Sequence, residues 1–163
     1  MNGNEANSIL EGSRQEDDTM HGKFLTFQVK DEIYGIEIQY VTEIIGIQAI
    51  TTVPHLPAYM KGILNLRGTI IPVMDIRLRF NYEPREYDDR TCIVVIQLEG
   101  TTIGLIVDSV QEVVDIPDEN TVLPPKAGYG AGNEYIKGIG KVGDSVRLLL
   151  DGYKVFAQDG FQM

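Results

Sequence analysis

The residues of this 163-residue chain that could do chemistry are few and poorly spaced for it. Its two histidines, His21 and His55, stand 34 positions apart, and metal-binding imidazoles work in sets at short spacing. They are expected to be solvated or hydrogen-bonded structural residues. Gly128, Gly130 and Gly132 resemble half of a phosphate-binding loop. The next glycine that a dinucleotide fingerprint needs is Asn133, and the cluster follows no predicted strand, so it reads as a loop. Gly140-Lys141 lacks the upstream glycine and the hydroxyl residue of a P-loop, and no serine sits in a G-x-S-x-G elbow. The lone Cys92 cannot close an internal disulfide, which suits a reducing compartment. It begins a predicted strand, where a small buried residue is expected rather than a reactive thiol. No catalytic residue, no cofactor and no metal site is predicted, and the balance moves toward a binding module.

Charge narrows the partners further. Twenty-four acids against 14 bases give a net charge of -10, which repels phosphate backbones and anionic membrane surfaces. A nucleic-acid-binding barrel would need a basic stripe interleaved with aromatics, and the chain has none. No apolar run approaches the ~20 residues of a membrane span, and the N-terminus lacks the order of a signal peptide. A cytoplasmic protein is expected. Residues 1–22 carry five acids against one arginine and read as a disordered acidic tail, with a short tail at 157–163.

The elements that must position any site come in two copies. YMKGILNLRGTIIPVMDIRLRF at 59–80 recurs without gaps as YIKGIGKVGDSVRLLLDGYKVF at 135–156, an offset of 76 with six identical positions. FLTFQVKDEIYGIEIQYVTEII at 24–45 recurs as IVVIQLEGTTIGLIVDSVQEVV at 93–114, an offset of 69. Two intertwined repeats, about 23–88 and 91–156, are each too small to be robust alone and are expected to pack together around a shared core.

Within each repeat, alternation of apolar residues predicts a hairpin at 24–38 and at 93–107. Gly35 and Gly104 inside these strands mark a bulge or a close backbone approach. Ile93 and Val95 make the second face of their strand apolar, so that strand is expected to be covered on both sides, by the sister subdomain or by a partner protein. Residues 39–46 and 108–115 fit a helical turn or a further strand equally well. Apolar strands follow at Ile70–Met74 and Val146–Leu150, with Pro72 pointing to a sheet edge or bulge. Asp75 and Asp151 then supply N-caps for short helices. Short strands in two similar sets predict an all-β fold of two small antiparallel barrels.

NLRGTIIPVMDIRLRF at 65–80, with VTEII at 41–45, YMKGI before it and the matching second-half segments, resembles the signature of the CheW-like chemotaxis adaptor family. The resemblance runs from about Lys23 to Phe156. It implies two tandem five-stranded SH3-like β-barrel subdomains packed on each other, and no enzyme activity. It also implies the partners: the regulatory domain of the histidine kinase CheA and the cytoplasmic tips of methyl-accepting chemoreceptors. The protein would be recruited to membrane receptor arrays through them. The alternatives are a scaffold in another chemosensory pathway, or a small-barrel ligand-binding protein.

The expected receptor and kinase contacts are Arg67, Glu43, Val41, Gly62, Asn65, Leu66 and Gly68. Arg67 lies at a tight turn where Gly68 can adopt a left-handed backbone, and its counterpart in the second copy is Gly143. That asymmetry is better explained by recognition than by folding, although a structural ion pair with Glu43 is an equal reading. Val41 matches a family position in the groove between subdomains where a receptor helical hairpin docks, and core packing is its structural alternative.

Overall fold

A computed structural model describes residues 20–125 and 133–157 of the chain. The glycine cluster at 128–132 and nearly all of both tails lie outside the described residues. Alternation at 24–38 produces the hairpin β1 (Lys23–Val29) and β2 (Glu32–Glu37). A 3-10 turn over Ile38–Tyr40 leads into β3 (Val41–Gly46), so the ambiguous segment is a turn and then a strand. A second hairpin, β4 (Met60–Leu66) and β5 (Thr69–Asp75), runs into the short helix α1 (Ile76–Arg79). The second half repeats the plan with β6 (Cys92–Leu98), β7 (Thr101–Val107) and β8 (Ser109–Asp115). A two-residue β9 (Thr121–Val122), then β10 (Ile136–Val142), β11 (Ser145–Leu150) and α2 (Gly152–Phe156) complete it. Both predicted N-caps are in place: Asp75 accepts from the Leu78 amide, and Asp151 from those of Tyr153 and Lys154.

The mostly-β architecture in two similar sheets is the one expected, but the repeats exchange their hairpins. One sheet has the order β8-β1-β2-β11-β10-β9 and the other β3-β6-β7-β5-β4. The hairpin of each repeat is therefore built into the sheet formed by the rest of the other. The expectation of purely antiparallel barrels is corrected in one respect, since each sheet contains one parallel pair, β2 with β11 and β5 with β7. The sheets are open rather than closed barrels. In one, an isolated bridge between Thr51 and Ile63 follows β3 and touches the far edge strand β4. In the other, β9 follows β8 and plays the same part against β10.

Gly35 and Gly104 sit at the parallel contacts, opposite Leu149 and Val73. A Cβ on Gly104 would stand 2.8 Å from Ile93 Cγ2, so close approach rather than a bulge explains them. The bulges lie at neighbouring positions. Thr26 is skipped in the β1–β8 register, and its buried hydroxyl donates to Glu112 O at 2.7 Å. Thr42 is skipped in β3–β6 and donates to Val95 O at 3.1 Å. β5 is an interior strand, contrary to an edge reading for Pro72. The parallel pairing begins one residue later, at Val73, so the missing proline N–H breaks no bond on that side.

The shared core between the sheets is the largest apolar cluster, with Leu25, Phe27, Tyr34, Met74, Ile96, Leu105 and Leu148 contributed by both halves. Ile93 and Val95 face instead into the second sheet's own interior with Leu64, Ile71, Val73 and Ile106. That interior, not a partner protein, covers the second face of β6. The first sheet's interior is smaller, built on Phe24, Ile116 and Leu149. Cys92 is half-buried, with its thiol 3.4 Å from Arg90 O.

Candidate interaction site

The β4–β5 connection is a two-residue turn whose central residues both have left-handed backbones, Arg67 at φ 51° and Gly68 at φ 88°. That is the geometry a right-twisted hairpin favours. Asn65 Oδ1 accepts from the Gly68 amide at 2.9 Å and braces the turn, while Leu66 packs partly into the interior cluster below. The side chain of Arg67 is 69% exposed and donates to Glu43 Oε1 on β3. Because β3 and β4 are the outer strands of one sheet, this ion pair spans the seam between its edges.

The energetics separate presentation from folding at Arg67. A left-handed backbone costs a non-glycine residue about 1–2 kcal/mol, and an ion pair this exposed returns about 0–1 kcal/mol. In the second copy the equivalent Gly143 takes φ 60° without that cost. Folding alone would favour glycine at both turns.

The other expected contacts divide by environment. Val41 is half-buried and packs against the shared core, beside Ile38 and Tyr40. Gly62 is a backbone requirement: at φ 143° its Cβ would stand 2.0 Å from Thr51 O. Thr51 and Ile63 exchange two backbone hydrogen bonds of 2.9 Å at that point. The structure thus brings Arg67, Glu43, Asn65, Leu66 and Gly68 to one turn, and leaves Val41 and Gly62 in separate packing environments.

Sequence reasoning missed the apolar residues next to the pair. Ile44 follows Glu43 and is 43% exposed; Ile70 lies just past the turn and is 52% exposed. Strand alternation carried the signal, since neighbours of inward residues on a strand face outward. Val113 and Val146, their counterparts in the other sheet, are exposed as well.

Three polar groupings were also not foreseen. Arg77 donates from Nε to both carboxylate oxygens of Asp108, at 2.9 and 3.1 Å, with both side chains largely buried. Tyr87 donates to Asp75 Oδ2 at 2.7 Å, and burial, reinforced by that bond, holds its phenol well above the usual range. The guanidinium of Arg79 lies between the rings of Tyr59 and Tyr135, 4.4 and 4.9 Å from their centroids. It also donates to Val155 O at the end of α2, tying the halves together.

His21 is exposed beside Asp118 and His55 holds a positive φ, far from any ligand set. Among the described residues no group of three or more His, Cys, Asp or Glu could hold a metal ion. No described helix is long and apolar enough to cross a membrane.

Two hairpin-exchanged sheets around a common core, presenting an exposed turn braced by Asn65, define a scaffold whose surfaces carry its role. The family model for the CheW-like domain matches residues 23–160, and the chain belongs to that family. It is 31% identical to the chemotaxis protein CheW of Klebsiella aerogenes, over 90% of this chain and 89% of that protein. With CheW of Treponema pallidum the identity is 35%, covering 86% and 85%. The crystal structure of the scaffolding protein TtCheW from Thermoanaerobacter tengcongensis superposes with a TM-score of 0.80 at 32% identity. It covers 87% of this chain and 97% of that one. Protein FrzA of Myxococcus xanthus is 26% identical over 72% of each chain. The protein is thus a non-catalytic scaffold of the chemotaxis coupling family.

Proposed function

We propose that this scaffold couples transmembrane chemoreceptors to the histidine kinase CheA. Arg67 and Glu43 order the docking surface, while Ile44 and Ile70 supply apolar contact. The observation that carries the reading is Arg67 itself, held exposed in a backbone conformation that glycine would adopt at less cost. Exposed charges add little affinity but fix register, and apolar neighbours supply the energy.

Calorimetry with the purified chain and a cognate CheA regulatory domain is expected to give a saturable complex. In a reconstituted receptor–kinase assay, Arg67→Glu is expected to lower receptor control of autophosphorylation at least tenfold with the fold intact. Normal coupling by that variant would remove Arg67 from the site. No complex with the kinase domain would sink the function.

A further inference from the structure

The two sheets of this molecule are an internal control for each other, and at one end they differ. In the second sheet, the end next to Asp75 is filled by the extended connection between the repeats. The ring of Tyr87 packs on the interior cluster that includes Val73, Ile93 and Ile106, and its hydroxyl reaches Asp75. What remains there is a void of about 10 Å³, bordered by Asp75, Thr91, Ile106 and Asp108. The corresponding positions of the first sheet are Asp151, Gly22, Glu37 and Gln39. Three of them, Gly22, Glu37 and Gln39, line an open cavity of about 200 Å³.

Its floor is apolar, formed by Phe24, Ile116 and Leu149, with Gly138 beneath the rim. Its rim is polar. Lys137 pairs with Glu37, Gln39 donates to Glu37, and His21 faces Asp118. Glu37 stands where the second sheet has the buried Ile106, and Thr26 where it has Val95, so this interior was not built to be closed by aliphatic packing. Residue 18 is Asp at the repeat offset, and no aromatic residue occurs in positions 1–19.

We propose that this cavity is a socket for a tyrosine side chain carried on an extended, basic segment of a partner protein. The second sheet shows the occupant that the fold accepts, an aromatic ring with a polar tip on a segment without helix or strand. An apolar floor takes the ring, and the rim of Glu37, Lys137 and Gln39 takes the hydroxyl. Lys137 offsets Glu37 at the rim, so Asp118 and a net charge of -10 favour basic flanks on the incoming segment.

The test is an amide NMR titration of the isotope-labelled full chain with three probes: acetyl-Lys-Tyr-Lys-amide, acetyl-Lys-Ala-Lys-amide and p-cresol. Saturable shifts of the Gly22, Lys137 and Gly138 amides with the tyrosine peptide are expected, with binding at least tenfold weaker for the alanine peptide. The rim variant Gln39→Trp, at an exposed position, is expected to abolish these shifts while the rest of the spectrum is retained. Equal shifts from the alanine peptide would reduce the effect to charge and overturn the proposal. Binding of p-cresol as tight as that of the peptide would make this a small-molecule cavity, and also overturns it. Binding that appears only in a Tyr129→Ala variant would show that the chain fills its own socket, with the same consequence.

Discussion

Replacing Gly62 by alanine tests whether that position belongs to an interface or to the fold. The new Cβ would stand 2.0 Å from Thr51 O, where ordinary contact begins near 3.4 Å, so the backbone at Thr51 must move by more than about an ångström. That movement breaks the two 2.9 Å hydrogen bonds between Thr51 and Ile63, at about 0.5–1.5 kcal/mol each. A φ of 143° adds about 1–2 kcal/mol of backbone strain for any residue with a side chain. Together these destabilise the protein by about 2–5 kcal/mol. For a chain of this length that lowers Tm by about 5–15 °C. Calorimetric or circular-dichroism melts of Gly62→Ala beside wild type measure it, with Gly68→Ala, whose Cβ meets nothing within 4 Å, as the milder control. A variant that melts with wild type yet loses receptor coupling would refute the reasoning and return Gly62 to the interface.

Two further outcomes follow from buried polar groups. Asp108→Ala leaves the guanidinium of Arg77 buried without its carboxylate, and is expected to cost about 3–5 kcal/mol in urea unfolding. A loss under about 1 kcal/mol would show that Arg77 finds another partner. Alkaline stability depends on phenols: burial raises Tyr34 and Tyr87 above their ordinary 10.0 in the folded protein. Their contribution is whole below pH 10 and is lost as pH rises beyond it, with a slope of about 1.4 kcal/mol per pH unit for each tyrosine. Lys137, lowered by desolvation from its ordinary 10.5, acts in the opposite sense and only below that value. Tyr87→Phe is expected to make the decline above pH 10 shallower, and an unchanged slope would count against the burial argument.

Much of the architecture was legible because it rests on local rules. Alternation located the strands, Asp75 and Asp151 announced the helices they cap, and the ungapped repeats required two matching sheets around a shared core. The contact between Glu43 and Arg67 was legible only through the family signature, because 24 residues separate them and no periodicity joins a strand to a distant turn. Other features had no local signature. Pro72 sits in an interior strand because the parallel partner β7 starts pairing one residue later. Gly62 is fixed by Thr51, a residue outside any strand that meets it only when the sheet curls. Which hairpin joins which sheet had no local signature either, since the same apolar faces could have closed within each repeat.

By itself, then, the order of residues determined most of the element types, which depend on neighbours a few positions apart, and the doubling, which shows as ungapped matches at fixed offsets. Only the tertiary structure decided which hairpin joins which sheet, which glycine cannot carry a Cβ, and which end stays open. These outcomes depend on where distant backbone segments cross, and chain spacing does not record that.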